Sequence, residues 1–540
     1  MVHNTNFPTS THYFPTIIES GAVYVDKTQF IVPLLAKKAN SNFFLSRPRR
    51  FGKSLFMSAL EQVFLGNQAI FKGLYIYDKI EWEAYPVIRL SLDRIGFNEQ
   101  GLEKALLGMI QAIAINHQIT LIRNDYATCF EELIHKISDK YQKRVVLLID
   151  EYDKPIAHYI EKENTDEALI NRDILKSFYG VLKDNGAYLR FVFLTGVSKF
   201  SKVSIFSDLN YFTDLTLDTR YSTVCGFTEA EIRQYCYGGL ENLAEKESVD
   251  VEAIMDKMRY WYNGFSWNAV DFVYNPYSTM RLMDSLQFNN YWFESGTPSF
   301  LVRLLNKTYT YEIKDVRVKS SIYDWYDLKE LDYLSIMLQT GYLTFKKHLG
   351  EDYYIVNYPN KEVENAFSEM LLGGYLHKHP ARMGVTVLDI QEALQSHDLE
   401  RVIEILKSMF ETLPSHFFQE EREVVNAKGD VKMVSKAVGE SFYHAIIYLV
   451  FNILGIKMSV EVASKEGRID AVVETENDIY IFEFKKDRRA KAAIEQIVNN
   501  HYPKTFALSK KKIYLIGIGF SLRKKGISSY VITPYPIPPQ

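Results

Sequence analysis

The fold is decided by NFFLSRPRRFGKS, residues 42–54, where a short apolar strand is followed by a basic loop and then by an apolar helix. The stretch ends in Gly52-Lys53-Ser54, the tripeptide that closes a Walker A loop. Such a loop directs backbone N–H groups at phosphate oxygens, and the N-terminus of the helix adds its positive dipole end. We therefore expect Lys53 to reach the β- and γ-phosphates and Ser54 to hold Mg²⁺. The general pattern has glycine at position 47, whereas this chain has arginine.

A second apolar strand, VVLLI at 145–149, runs directly into paired acids. This is a Walker B arrangement, in which Asp150 holds Mg²⁺ through water and Glu151 orients or deprotonates the attacking water. A third apolar strand, at 191–194, ends at Thr195, which we expect to contact the γ-phosphate of ATP. The alternatives are that the acids form a solvated turn and that Thr195 is an ordinary threonine at a strand end. The Walker A tripeptide about 100 residues upstream favours ATP binding.

Up to about Asp214 the sequence alternates apolar runs with helical stretches, and the candidate strands lie at 43–45, 87–92, 145–149 and 191–194. Short continuous apolar runs that are separated by helices predict a parallel sheet covered on both faces. We therefore predict an α/β multidomain protein that begins with a P-loop NTPase domain over 1–225.

Beyond Gly226 the sequence becomes mainly helical. Thr228 followed by Glu231 is typical of a helix start. Apolar runs at 343–346 and 353–356 flank a polar turn and predict a β-hairpin between two helices. We predict a helical lid over 226–380 that is winged-helix-like in part. A helical bridge over 381–414, which includes the helical stretch at 388–410, and a second α/β unit over 415–540 follow.

A second set of charged residues lies in GRIDAVV at 467–473 and IYIFEFK at 479–485. Residues two apart on a strand face the same way, so Glu483 and Lys485 share one face. If Asp470 lies on the neighbouring strand, its carboxylate can join Glu483 around one Mg²⁺, a cation that prefers oxygen ligands. A lysine beside them can orient the attacking water and balance the charge of the scissile phosphate. Two carboxylates and a lysine in this arrangement are the residues that a metal-dependent phosphodiesterase uses.

The N-terminal motifs resemble the bacterial AAA-ATPase-like family, in SRPRRFGKS at 46–54, YVDKT at 24–28 and LTGVSK at 194–199. The resemblance covers roughly 8–300 and implies a P-loop fold with a helical lid. In that family the arginine-rich loop replaces the usual first glycine. Together with the motifs, the resemblance gives the predicted nucleotide-binding residues as Arg49, Arg50, Phe51, Gly52, Lys53, Ser54, Asp150 and Thr195.

The order helix, three strands, helix, strand from residue 441 onward resembles the PD-(D/E)XK nuclease superfamily, in the version fused to AAA-ATPase-like domains. The resemblance covers about 415–520 and implies Asp470, Glu483 and Lys485 as catalytic residues. Glu440, at the start of the preceding helix, is expected to supply a further metal ligand. Gln496 and Tyr502 fall where they can orient the substrate. The alternative is a nuclease fold with a decayed site that only binds nucleic acid or a protein.

Composition excludes several classes of protein. Hydrophobic residues make up 47% and charged residues 24% of the 540 residues, which is typical of globular domains and not of disordered or fibrous chains. The longest apolar stretch, near 445–456, is about a dozen residues and too short for a membrane span. No signal peptide is visible, and three cysteines make no disulfide framework. We expect a cytoplasmic protein without a membrane partner.

Charge is distributed unevenly along the chain. The net charge is −4, but residues 481–540 carry +9 and the first 480 residues carry −13. A basic C-terminal segment on an acidic body suggests contact with phosphate, although a solvated lysine-rich surface is the alternative. We expect nucleic acid as the partner, DNA before RNA.

Three hypotheses follow from these motifs. The first is an ATP-binding P-loop ATPase that controls Mg²⁺-dependent cleavage of nucleic acid, with Glu151 as the catalytic residue that orients or deprotonates the attacking water. The second is an ATP-operated switch whose nuclease-like domain only binds. The third is an ATP-driven motor acting as a ring, and it requires a homo-oligomer.

Overall fold

The structure is a computed structural model that describes most of the chain in two compact units. The first unit comprises 1–301 and 313–364, and the second comprises 302–312 and 365–540. The boundaries predicted at 225, 380 and 414 remain predictions. The described residues are 4–36, 41–93, 95–199, 212–292, 299–308, 313–324, 331–376, 380–411, 419–425, 431–437, 440–454, 457–464, 467–475, 477–506, 508–521, 523 and 526–536.

A parallel sheet of five strands forms the centre of the first unit, in the order β2-β3-β4-β1-β5. The strands are β1 (Asn42–Ser46), β2 (Val87–Ser91), β3 (Val145–Asp150), β4 (Leu189–Gly196) and β5 (Thr213–Asp214). Every residue of β3 is buried, which is why its sequence is continuously apolar instead of alternating. The parallel sheet and its first four strands are confirmed.

Helices surround this sheet, as the alternating sequence pattern predicts. They are α1 (Phe14–Glu19), α2 (Ile31–Ala36), α3 (Lys53–Phe64), α4 (Phe97–Gln100), α5 (Leu102–Asn116), α6 (Tyr126–Tyr141), α7 (Lys154–Glu161) and α8 (Thr165–Asp184). Because all strands run in one direction, the loops after β1, β3 and β4 leave the same edge of the sheet. That edge carries the residues of the two Walker motifs.

A helical segment follows, with α9 (Glu229–Tyr235), α10 (Tyr237–Glu247), α11 (Val251–Tyr262), α12 (Pro276–Ser285) and α13 (Ser299–Thr308). The predicted helix start at Thr228 is confirmed as a capping box. The Oγ1 of Thr228 accepts the N–H of Glu231, and the Glu231 carboxylate accepts the N–H of Thr228. The apolar faces of α10, α11 and α12 share one core, which includes Leu240, Met255 and Leu282.

The predicted hairpin is confirmed within a three-stranded antiparallel sheet of order β6-β8-β7. Its strands are β6 (Val316–Lys319), β7 (Thr344–Gly350) and β8 (Tyr353–Asn357). The hairpin of β7 and β8 lies between α14 (Tyr333–Thr340) and α15 (Lys361–Leu376), and β6 precedes α14. Strand β6 was not predicted, because four residues give too short a pattern. The predicted bridge at 388–410 is helical but consists of two helices, α16 (Pro380–Gln395) and α17 (Leu399–Glu411). His397, with φ +57°, lies at the break between them.

The second unit contains a mixed sheet of order β11-β12-β13-β14-β15, in which β13 and β14 run parallel. Its elements, in chain order, are β9 (Gln419–Val425), β10 (Val431–Ala437), α18 (Glu440–Ile453), β11 (Lys457–Ser464), β12 (Gly467–Glu474), β13 (Asp478–Lys486), α19 (Ala490–Asn499), β14 (Lys512–Ser521) and β15 (Gly526–Tyr535). The predicted order αβββαβ is confirmed, and β15 extends it. Ile497 of α19 packs on Ile479 and Ile481 of β13.

Within the described ranges, no helix has the length and apolar character that crossing a membrane requires.

Candidate active sites

The loop between β1 and α3 has the backbone conformation that a phosphate-binding loop needs. Gly52 has a φ of +87° and occupies the N-cap position of α3, where its carbonyl accepts the N–H of Phe56. A Cβ at Gly52 would meet nothing within 4 Å, so the left-handed φ, and not a lack of space, is what favours glycine here. Because α3 begins at Lys53, the unpaired N–H groups of its first turn lie at the end of the loop.

Lys53 is directed into the loop that precedes it. Its Nζ donates to the carbonyl oxygen of Arg47 at 3.0 Å and to that of Pro48 at 2.9 Å, and the residue is buried. Burial lowers the pKa of the ammonium, and the nearby carboxylates of Glu151 and Asp150 oppose that shift. The lysine is therefore a buried cation held by neutral carbonyls, so that phosphate oxygens can replace its present partners.

Arg47 shows how this loop works without its first glycine. The side chain is fully buried, and its guanidinium carbon lies 3.9 Å from the centre of the Trp267 ring. It donates to the carbonyl oxygens of Ser46, Thr216 and Tyr221 at 2.9–3.0 Å. Arg47 thus fastens the loop to the segments that follow β5, and its position among carbonyls makes it a structural residue.

The other predicted loop residues have different surroundings. Arg49 forms an ion pair with Glu161 at 3.0 Å, with both side chains more than one third exposed. Phe51 is buried and packs edge-to-face on Phe265, with ring centres 4.7 Å apart. Ser54 lies half-buried in the first turn of α3.

The acidic residues after β3 divide into two groups. Asp150 is 4% exposed at the strand end, and Glu151 follows with a φ of +50°. Burial raises the pKa of Glu151 to about 7, and the charge of Asp93 adds to the shift. Asp153 accepts the N–H groups of Val197 at 3.2 Å and Ser198 at 2.7 Å, so it holds the turn after β4. Asp150 and Glu151 therefore remain as the acids available for chemistry.

The end of β4 lies against this acidic turn. A Cβ at Gly196 would come within 2.5 Å of the Asp153 carboxylate and 2.6 Å of the Tyr152 ring, so only glycine allows this approach. Thr195 is fully buried and pairs with Leu45 of β1. Its Oγ1 has no hydrogen-bond partner among the described residues. A buried hydroxyl without a partner is costly, and a ligand oxygen or water would satisfy it.

A cavity of about 560 Å³ opens in front of the loop. Its lining includes every loop residue from Arg49 to Ser54, as well as Glu151. Asp150 and Thr195 are not among the described residues that line it. Further parts of the wall were not predicted from the sequence, and they include 8–12, 23–25, 224–227 and the start of α12. The motif at 24–28 and the glycine at 226 were the available signals.

The motif at 24–28 holds the N-terminal segment in place. Lys27 forms a buried ion pair with Glu231 at 2.6 Å and donates to the carbonyl of Thr223 at 2.9 Å. Asp26 accepts the N–H groups of Thr28 at 2.8 Å and Tyr75 at 2.7 Å. These contacts join the N-terminal segment to the capping box of α9, and thereby bring both to the cavity.

In the second unit, adjacent strands bring the predicted carboxylates together. Strands β12 and β13 are antiparallel with Ala471 opposite Phe482, so Asp470 and Glu483 are the next residues along the two strands. The Oδ2 of Asp470 accepts the N–H of Phe484 at 2.8 Å, which fixes its position. The Nζ of Lys485 lies 2.9 Å from the Oε1 of Glu483. The predicted grouping of Asp470, Glu483 and Lys485 is therefore present in the fold.

Glu483 is the residue whose environment indicates a missing ligand. It is fully buried, and its Oε2 has no hydrogen-bond partner among the described residues. Burial, followed by the negative charge of Asp470, raises the pKa of Glu483 to about 7, although Lys485 opposes the shift. Two carboxylates with one ammonium lack positive charge, and oxygen ligands suit Mg²⁺. The residues present therefore fit a divalent cation.

The described residues offer fewer additional ligands for such a cation than the resemblance to the nuclease superfamily implies. No cluster of three or more candidate metal-ligating side chains occurs in the part of the chain that the structure describes. Glu440 begins α18, but its side chain lies outside the described residues. Gln496 lies half-buried in α19. The hydroxyl of Tyr502 is directed at the carbonyl of Arg468, 2.6 Å away, so it supports the strand that carries Asp470.

Comparisons with known proteins agree with these two sites. Residues 8–206 match the family described as predicted AAA-ATPase, and residues 438–529 match the PD-(D/E)XK nuclease superfamily. A protein of Azotobacter chroococcum mcd 1, described as "Uncharacterized protein in vnfD 5'region", is 33% identical over 521 residues. The alignment covers 94% of this chain and 95% of that relative. The chain therefore belongs to the family of predicted AAA-ATPases that carry a C-terminal PD-(D/E)XK nuclease superfamily domain.

Proposed function

We propose that this chain binds and hydrolyses ATP with Mg²⁺ at the P-loop cavity, and that its nucleotide state controls cleavage of nucleic-acid phosphodiester bonds at the C-terminal site. The observation that carries the proposal is the grouping of Asp470, Glu483 and Lys485, with one buried Glu483 oxygen lacking a partner. A merely structural carboxylate at this depth is normally satisfied by hydrogen bonds.

ATP binding rests on the cavity and the cations around it. A volume of about 560 Å³ is within the usual range for sites of small ligands and cofactors. Lys53 would exchange the carbonyls of Arg47 and Pro48 for the β- and γ-phosphates, where a charge-assisted hydrogen bond is stronger. Mg²⁺ held by Ser54 and Asp150 would neutralise phosphate charge.

Hydrolysis requires a water molecule in line with the γ-phosphate. Glu151 lines the cavity with Lys53 and Ser54, and its carboxylate can accept a proton from that water. Thr195 lies at the end of the adjacent strand with an unsatisfied Oγ1, which can hold the same water or a phosphate oxygen. The bond from the γ-phosphorus to its bridging oxygen then breaks, giving ADP and phosphate.

At the C-terminal site, Asp470 and Glu483 would hold Mg²⁺, which supplies positive charge beside the scissile phosphate. Lys485 contacts Glu483 and can orient the attacking water and offset the negative charge that develops on phosphate. Water adds to phosphorus, one P–O ester bond breaks, and the products are a phosphomonoester and a free hydroxyl. The +9 charge of 481–540 provides a surface for the remaining phosphates.

Cleavage assays on the purified full-length protein test this function. Labelled plasmid, single-stranded DNA and RNA are each incubated with Mg²⁺ or Mn²⁺, with and without ATP. Asp470→Asn, Glu483→Gln and Lys485→Ala should each lose cleavage and keep ATPase activity, since Lys53 and Glu151 are unaffected. Glu474→Gln is the matched control, because Glu474 lies on the same strand as Asp470 but pairs with Lys511.

The results separate the main hypotheses. Cleavage by the wild type and by Glu474→Gln, together with its loss in the three site variants, supports the proposed nuclease. A folded wild type that cuts none of the substrates under any condition contradicts it and favours the ATP-operated switch. Equal cutting by the wild type and all variants places the activity at another site.

A further inference from the structure

Arg50 combines a buried N–H group that lacks a partner with a place in the cavity wall. The buried Nε of Arg47 also lacks a partner among the described residues, but Arg47 does not line the cavity. Arg47 and Lys53 donate to carbonyl groups, and Arg49 pairs with Glu161. The Nη1 of Arg50 is buried, yet it has no hydrogen-bond partner among the described residues. The residue lines the cavity proposed for ATP, and its φ of +65° lies in the left-handed region that non-glycine residues rarely adopt.

The guanidinium of Arg50 rests on an aromatic ring from the lid. Its central carbon lies 3.7 Å from the centre of the Tyr277 ring, which also lines the cavity. A cation over an aromatic face is attracted by the ring, but the contact gives the N–H groups no acceptor. A phosphate oxygen would offer the stronger, charge-assisted hydrogen bond. The present position of Arg50 is therefore one that an anionic ligand can displace.

Tyr277 lies in the first turn of α12, and hydrogen bonds from neighbouring residues hold this turn in place. It is the second residue of α12, whose first turn is capped by Asn275 through the N–H of Ser278 at 3.0 Å. The Oγ of Ser278 lies 2.9 Å from both carboxyl oxygens of Glu362 in α15. The Tyr277 ring thus stands on the first turn of α12, which Ser278 connects to α15.

We propose that Arg50 recognises the terminal phosphate of a bound nucleoside triphosphate, and that it leaves the ring of Tyr277 to do so. The inference rests on the proposed ATP site and adds to it a residue that distinguishes ATP from ADP. In the triphosphate state the buried N–H of Arg50 gains an acceptor and Tyr277 loses its cation. After hydrolysis the arginine returns to the ring. The lid helix α12 therefore responds to the terminal phosphate through one side chain.

Nucleotide affinities test this role directly. ATP and ADP are titrated calorimetrically with Mg²⁺ in a Glu151→Gln background, so that ATP is not consumed. Arg50→Ala should weaken ATP by about ten- to a hundredfold and ADP by less than about threefold. Arg50→Lys retains the charge and should recover part of the preference for ATP. Arg281→Ala is the matched control. Arg281 lies on α12, as Tyr277 does, and its guanidinium also lies over a tyrosine ring, that of Tyr291.

Two outcomes contradict the inference at different levels. If Arg50→Ala weakens ATP and ADP equally, or changes neither, Arg50 does not recognise the terminal phosphate. If the parent protein binds neither nucleotide, the proposed ATP site itself is wrong. A loss of ATP preference in Arg281→Ala as large as in Arg50→Ala would show a general effect on the lid and overturn the assignment.

Hydrogen exchange tests the link to the lid. In the Glu151→Gln protein, saturating ATP should change the exchange of amides in 276–285, and ADP should not. Tyr277→Leu should keep the preference for ATP, since Arg50 remains, but lose the ATP-specific change in exchange. An unchanged response in Tyr277→Leu would overturn the proposed route through this ring.

Discussion

Each of the two candidate sites of this chain lacks a charged partner, and the two missing charges are of opposite sign. At the P-loop, carbonyl groups hold Lys53 and an aromatic ring holds Arg50, and neither cation forms an ion pair within the described residues. At the C-terminal site, Asp470 and Glu483 are adjacent carboxylates with Lys485 as their nearby cation. The first arrangement is completed by phosphate and the second by a divalent cation. Local charge thus indicates the kind of ligand before any ligand is present.

The largest expected effect concerns the chemistry at the P-loop. Glu151→Gln should retain ATP binding while turnover falls by roughly 10²–10⁴-fold, because an amide cannot accept the proton of the attacking water. Steady-state phosphate release and calorimetric ATP binding measure the two quantities. Asp166→Asn, an exposed acid in the first turn of α8, serves as the control. Unchanged turnover in Glu151→Gln would mean that another group positions the water.

The next effect concerns ATP affinity itself. Lys53→Ala removes the buried ammonium that is proposed to bind the β- and γ-phosphates. The loss of a charge-assisted contact costs about 1.5–3 kcal/mol, so affinity should fall by about ten- to a hundredfold. Calorimetry on a folded variant checks the value. Equal affinities in the wild type and Lys53→Ala would remove the main support for this site.

Metal binding at the second site should appear as thermal stabilisation. Without nucleotide, Mg²⁺ at about a hundred times its dissociation constant stabilises the folded state by about 2.7 kcal/mol. Glu483→Gln should lose this Mg²⁺-dependent shift but should not be less stable than the wild type in EDTA, because it removes a carboxylate beside Asp470. Thermal melts with Mg²⁺ and with EDTA measure both. An identical Mg²⁺ shift in the variant would contradict the assignment of Glu483.

The smallest expected effect concerns the pH dependence of stability, through a buried glutamate of the lid that belongs to neither site. Burial raises the pKa of Glu362 from 4.5 to about 8, and the carboxyl contacts Ser278 and the N–H of Trp292. Because the folded pKa is the higher one, this contribution to stability is present below pH 4.5 and is lost as pH rises toward 8. The slope reaches at most about 1.4 kcal/mol per pH unit.

Glu362→Gln should flatten that slope, since glutamine does not titrate and keeps a carbonyl oxygen that can accept from the N–H of Trp292 and from the Oγ of Ser278. Urea unfolding at several pH values between 5 and 8 compares the two proteins. Identical slopes in the wild type and the variant would show that Glu362 is not neutral in the folded lid.

Strands could be predicted from the sequence where all of their residues are buried, because such a strand is a continuous apolar run. The continuous apolar runs of β1 to β4 identified the parallel sheet, and the acids at the end of β3 followed from it. Strand β5 has only two residues, Thr213 and Asp214, which is too few for a pattern. Strand β15 contains polar residues such as Ser528 and Ser529 and lies at the sheet edge, where apolar continuity is not required.

The sites were predictable to the extent that their residues are neighbours in sequence or on adjacent strands. Glu483 and Lys485 are two apart on one strand, and Asp470 lies on the preceding one. The burial of Arg47 beneath Trp267 joins residues 220 positions apart, and no local pattern reveals such a contact. The same reason hid the contact of Arg50 with Tyr277.

We propose above that nucleotide at the first site controls cleavage at the second. The most direct measurement is the rate of Mg²⁺-dependent cleavage of one labelled DNA by the wild type and by Lys53→Ala, each with ATP, with ADP and without nucleotide. We expect that ATP changes the wild-type rate, that ADP does not, and that Lys53→Ala cuts at one rate in all three conditions. Equal wild-type rates in the three conditions, or an ATP effect that persists in Lys53→Ala, would contradict it.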